Sequence, residues 1–80
     1  MVKDIDKEGA RRRARIQMMF WNQVGSLEHV NVPKLEDALK KEFNTNDLRL
    51  IQAQVRLMQT EGRVRVQDKV KVWIKRPEGA

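Results

Sequence analysis

Cysteine and tyrosine are absent from this chain of 80 residues, which has one histidine, two prolines and four aromatic side chains. Without cysteine there is no disulfide framework, thiolate zinc site or thiol nucleophile, and His29 alone cannot build a histidine-rich metal site. The expectation is a protein with no metal and no cofactor, in which His29 is a structural or surface residue. No apolar run approaches the roughly 20 residues of a membrane span, and no uninterrupted apolar stretch follows the N-terminus. We therefore expect a soluble, cytoplasmic chain that does not enter a membrane. Catalysis has little support: there is no serine with a plausible His and Asp arrangement, no Gly-rich phosphate loop and no carboxylate pair in an apolar setting. One small domain cannot enclose a substrate, so an enzyme is not expected.

What the chain has in excess is positive charge, with 17 Lys and Arg against 11 Asp and Glu for a net charge of +6. Residues 1–15 hold six basic and three acidic side chains, residues 16–62 five and six, and residues 63–80 six and two. Positive ends around a near-neutral middle point to an extended anionic partner. Net charge alone describes a small solubilised domain equally well, so placement has to decide. With 35% charged residues and a small core, dimerisation or a bound partner would help to stabilise the fold.

Met1 to Glu8 have no stable period and read as a frayed arm or the loose start of a helix. From Ile16, apolar residues recur at three- and four-residue spacing through Met19, Phe20, Val24 and Leu27, predicting a first helix that ends near Gly25 to Glu28. Ala14, Met18 and Trp21 fall on another side of it. Trp21 is expected to pack under the N-terminal arm or a C-terminal hairpin, with Met18 and Trp21 as the candidate dimer contact otherwise. Val30 to Val32 form a short extended piece before Pro33, whose fixed φ suits the first turn of a second helix carrying Leu35, Ala38, Leu39 and Phe43. Asn44 to Asp47 are turn and cap residues. A third helix is predicted from near Asn46, with Leu48, Ile51, Val55 and Met58 inward, stopping at Gly62. Leu50 and Leu57 on its flank are expected to pack on the first helix or to join Trp21 in a dimer contact.

Beyond Gly62 the apolar period changes to two, predicting paired strands with Val64 and Val66 on one and Val70, Val72 and Ile74 on the other. A three-residue turn at Gln67 to Lys69 keeps the apolar faces together by pairing Val66 with Val70 and Val64 with Val72. No glycine occupies that turn, so Asp68 or Lys69 has to adopt the left-handed conformation. This register sets Arg65 opposite Lys71 and Arg63 opposite Trp73, with Lys75 nearby. Like charges directly opposite each other destabilise a sheet, so such a face suggests phosphate binding, with Arg63 held over Trp73 by a cation–π contact.

This order of helix, extended piece, short helix, polar turn, longer helix and twisted hairpin resembles the winged helix-turn-helix DNA-binding family over residues 11–76. The most family-like stretch is Leu48 to Val66, LRLIQAQVRLMQTEGRVRV, similar to a recognition helix running through a glycine into the first wing strand. Leu35 in VPKLEDALKKEF matches the apolar first-turn residue that many such domains have in their second helix. The resemblance implies an α+β fold, three helices followed by a two-stranded β-hairpin wing, with a flexible arm over 1–10 and a tail over 77–80. It also implies a double-stranded DNA-binding protein, a homodimeric transcriptional or plasmid/viral regulator associated with the nucleoid.

With Ile51, Val55 and Met58 inward, Thr45, Arg49, Gln52, Arg56 and Gln59 line the opposite stripe without a carboxylate. Arg reads guanine and Gln reads adenine in the major groove, so Arg49, Gln52 and Arg56 are the candidate base contacts. Thr45 and Asn46 are candidate backbone contacts at the helix start, and Arg63, Arg65, Lys69, Lys71 and Trp73 those of the wing. Arg11, Arg12, Arg13 and Arg15 form a basic arm able to lie along phosphates or enter a narrow minor groove. A different reading makes the fold a protein-interaction module, with Trp21, Met18, Leu50 and Leu57 as its contact surface. Single-stranded nucleic acid ranks third, because of Phe20, Trp21, Phe43 and Trp73 only Trp73 is well placed to stack on a base.

Overall fold

In the computed structural model, which describes residues 2–78, three helices pack on one face of a three-stranded antiparallel sheet. Helix α1 spans Val2–Val24, strand β1 His29–Asn31, helix α2 Val32–Phe43, helix α3 Leu48–Thr60, and strands β2 and β3 Val64–Gln67 and Lys71–Ile74. The chain is thus α+β, as expected. The predicted arm is helical in backbone from Val2, so α1 starts well before Ala10. Of the expected tail, Pro77 is buried, and residues 79 and 80 lie outside the described residues.

The helix ends follow local chemistry. Gly25, at φ 59°, ends α1 and donates its N–H to the Trp21 carbonyl at 2.8 Å. Leu27, expected on the buried stripe, lies beyond that stop and is 88% exposed, while Met19 sits at the margin of the buried face. Pro33 occupies the first turn of α2, and Asn44 at φ 51° closes it. The cap of α3 is Asp47, whose carboxylate accepts from the Arg49 N–H at 3.0 Å, so the helix begins two residues after Asn46. At the other end Gly62, at φ 72°, lets its own N–H reach the Gln59 carbonyl at 3.0 Å and the Arg63 N–H reach that of Met58 at 2.8 Å. This pair of bonds is the Schellman closure that a left-handed residue makes available. Asp47→Ala should cost about 1 kcal/mol of stability through loss of the cap, readable as a lowered melting temperature.

The sheet runs β1-β3-β2. The extended piece before Pro33 is therefore a strand, and the sheet has three strands where two were predicted. In the hairpin, Val64 faces Ile74, Arg65 faces Trp73, Val66 faces Val72 and Gln67 faces Lys71. The predicted register is displaced by two residues. Asp68 and Lys69 both take positive φ, 55° and 63°, and Val70 completes the turn, donating to the Gln67 carbonyl at 3.2 Å. Val70 is consequently 54% exposed instead of paired with Val66.

Between the layers lies one core, built from Ile16, Phe20, Val30, Leu35, Leu39, Ile51, Val55, Met58, Val64, Val72 and Ile74. Trp21, Val24, Ala38, Phe43 and Val66 pack partly buried against it. Two polar side chains, Arg13 and Gln17, are also buried, and no buried side-chain nitrogen or oxygen among the described residues lacks a hydrogen-bond partner.

Candidate nucleic-acid interface

Burial of Ile51, Val55 and Met58 fixes the rotation of α3, and Arg49, Gln52, Arg56 and Gln59 are all exposed on its outer side. The nearest carboxylate in sequence, Asp47, is held on the helix N-terminus by the Arg49 N–H. Thr45 accepts from the Asp47 N–H at 3.1 Å and, with exposed Asn46, lines a concavity of about 510 Å³ at the α2–α3 turn. Lys40 and Lys41, not among the expected contact residues, line the same concavity. Their position in the last turn of a helix leading into a polar turn is the signal that could have joined them to Thr45 and Asn46.

The outward face of the sheet differs from the predicted ladder because of the register. Trp73 is its centre, with Arg65 opposite on β2 and His29 opposite on β1. The His29 and Trp73 rings lie 5.2 Å apart at 54°, and the indole N–H donates to Gln67 Oε1 at 2.9 Å. Lys71 faces Gln67 on one side and Asn31 on the other. Arg65 and Lys71 are therefore not directly opposite, and the inference of phosphate binding from like charges facing each other falls away. Basic and neutral side chains alternate instead. Arg63 precedes β2 and does not face Trp73. It donates to Glu61 Oε1 at 2.9 Å and to Gln17 Oε1 at 3.2 Å, so the expected cation–π pair is replaced by an internal polar contact. The observed cation–π contact is Arg12 over Phe43, at 5.8 Å.

The α1 arginines divide. Arg13, only 5% exposed, donates from Nε and Nη2 to the two Glu61 carboxylate oxygens at 2.9 and 2.8 Å, and from Nη1 to Gln54 Oε1 at 2.6 Å. It joins α1 to α3 and cannot lie along a phosphate backbone. Arg12 donates to the Glu42 carbonyl at 2.6 Å and pairs with Glu8, and Arg15 pairs with Glu42 at 3.2 Å. Arg11 is exposed and without an ion pair. The Arg13 hydrogen bond, supported by Arg63 and opposed by burial, holds the Glu61 carboxyl below the usual carboxylate range.

The consequence is a segregation of charge. Among the described residues, ion pairs gather on Arg12, Arg13, Arg15 and Arg63, whereas Arg49, Arg56, Arg65, Lys69, Lys71 and Lys75 have none. Trp21 packs against the core beside the hairpin and, with Trp73, Arg65 and Lys75, lines a groove of about 320 Å³. Met18, on the same side of α1, is half-buried. Leu50 and Leu57, expected to pack on α1 or to join Trp21 in a dimer contact, are 40% and 41% exposed. Among the described residues no cluster of acidic and histidine side chains is arranged to hold a metal, and no helix is long and apolar enough to cross a membrane. No protein-family model, curated protein or solved structure matches the chain.

Proposed function

We propose that this protein is a winged helix-turn-helix regulator that binds double-stranded DNA as a homodimer, with α3 in the major groove and the β2–β3 hairpin as the wing. The observation that carries the reading is the segregation of ion pairs. Glu8, Glu42 and Glu61 neutralise arginines on and beside α1, while the outer stripe of α3 and the hairpin keep unpaired cations. A phosphate backbone is the extended anion that such a surface complements. Arg49, Gln52 and Arg56 are then the base-reading side chains. Thr45, Asn46 and the neighbouring Lys40 and Lys41 hold phosphate at the start of α3, and Arg65, Lys69 and Lys71 do so from the hairpin. Arg13 and Arg63 drop out of the contact set because their guanidinium groups are already bonded inside the protein.

The test is a titration of a labelled mixed-sequence duplex at several salt concentrations, with light scattering on the same sample. Each phosphate neutralised contributes about −0.9 to the slope of log K against log salt, so five or so cations predict a slope on the order of −4 to −5. Absence of binding at low salt would defeat the proposal. Leu50 and Leu57 favour a second reading, a protein-interaction module, because two exposed leucines lie on one flank of α3. In that case the same titration shows no DNA binding and scattering reports self-association that Leu57→Ser abolishes.

A further inference from the structure

Trp73, the one aromatic residue expected to stack on a base, is joined in the fold by the only other tryptophan of the sequence. Trp21, from the last turns of α1, and Trp73, from the central strand, line one groove together with Arg65, Lys75 and Arg76. No carboxylate is among the lining residues. Both rings are half-buried, so each is held by the fold and still presents surface. Trp73 is further fixed by its N–H bond to Gln67 and by the tilted His29 ring against it. Aromatic faces beside guanidinium and ammonium groups complement one ligand chemistry in particular, a flat π-system carrying a negative charge. The groove volume of about 320 Å³ matches the lower end of small-molecule sites, the size of a single nucleotide rather than of a duplex.

We infer that the Trp21–Trp73 groove binds one unpaired nucleotide, its base stacked on indole and its phosphate held by Arg65 and Lys75. The nucleotide is either free or part of a single strand. This site is separate from the outer stripe of α3 and stands whether or not α3 reads duplex DNA. In the duplex reading it gives the protein a hold on an unpaired stretch near its site, since stacking is indifferent to base identity while phosphate contacts track any strand.

The chain has two tryptophans and no tyrosine, and both tryptophans line the groove, so its intrinsic fluorescence reports on this site alone. The full-length protein is titrated with adenosine monophosphate, with a short oligodeoxyadenylate and with inorganic phosphate. Saturable quenching by the mononucleotide assigns a free nucleotide; quenching by the oligomer alone assigns a single strand. In either case Trp21→Leu and Lys75→Gln should each weaken binding about tenfold, the scale of one lost stack or one lost charge contact. Lys75 is exposed, so its variant decides the matter if Trp21→Leu does not fold. Arg49→Ala should leave the quenching intact, which separates this site from duplex recognition. Quenching by neither nucleotide probe, equal quenching by inorganic phosphate, or quenching that survives Lys75→Gln would overturn the inference.

Discussion

Replacing Arg13 by alanine is expected to lower the stability of the fold by about 2–3 kcal/mol, a drop in melting temperature of roughly 10–20 °C for a domain of this size. Arg13 is 5% exposed and its guanidinium donates to three acceptors, both oxygens of Glu61 and the amide oxygen of Gln54, which tie the middle of α1 to the middle and C-cap of α3. Alanine leaves Gln54 Oε1 and Glu61 Oε2 without their donor, keeps only the Arg63 bond on Glu61 Oε1, and opens a void beside Gly9. That glycine fits the arrangement: a Cβ there would lie 2.9 Å from Arg13 Nη1, so Gly9 leaves room for the guanidinium as it folds back along the helix. Glu61→Gln should cost less than Arg13→Ala, since the amide still accepts, and the two changes together should cost less than their sum because they remove one shared interaction. Additive effects in thermal unfolding would sink the claim that this pair couples α1 to α3. The pH dependence has a definite sign. Glu61 is held below its ordinary carboxylate range, chiefly by the Arg13 hydrogen bond, so the unfolded chain binds the proton more readily. The stability it contributes is fully present above the unfolded glutamate pKa, about 4.3, and is lost as pH falls through the lower folded value. Glu61→Gln should therefore flatten the wild-type acid loss in that window, and parallel curves for the two proteins would show that Glu61 does not contribute.

Arg13 also shows where the sequence stops being legible. It shares a helical stripe with Ile16 and Phe20, a placement that marks it for the interior, but its density of arginine neighbours made it read as part of a solvent-facing arm. Nothing local identifies Glu61, 48 residues away, as its partner. The helices themselves were legible because their stops are local chemistry: Gly25, Pro33, Asp47 and Gly62 each act within one turn. The strands were legible in facing but not in register. Slipping a hairpin by two residues leaves the same side chains inward, so hydrophobic alternation is blind to it, and only the turn can decide. Here the turn puts two non-glycine residues in the left-handed region, Asp68 and Lys69, where the expected turn needed only one of them there, and the second moves the pairing on by two residues. Pairing of β1 with β3 was hidden for a related reason, since the one buried valine of a three-residue strand, Val30, has its partner far along the chain at Val72.

The register in turn shapes the second large effect, a division of labour between helix and hairpin. The hairpin turn is anchored, because the Val32 N–H at the start of α2 donates to the Val70 carbonyl at 3.0 Å, so Lys69 and Lys71 project from a fixed tip. Lys71 faces neutral Gln67 and Asn31. Without a directly opposed cation it holds its charge without repulsion, and its expected role is one phosphate contact, blind to sequence. Lys69→Ala and Lys71→Ala should each weaken binding by a similar factor on every duplex and reduce the salt slope by about one. Arg49 and Arg56 lie on the exposed stripe of a capped, rigid helix, where a bidentate contact to guanine discriminates by about 1–3 kcal/mol. On a site selected from random duplexes, Arg49→Ala or Arg56→Ala should lose roughly 5- to 150-fold in affinity while losing little on unselected DNA, so the preference between them collapses. Parallel losses on selected and unselected duplexes would remove α3 from base reading, and unchanged salt slopes in the lysine variants would remove the hairpin from the phosphates. The two surfaces are tested independently, because Asp47 and Gly62 fix the ends of α3 and the Val32 to Val70 bond fixes the hairpin tip, so neither set of side chains depends on the other for its position.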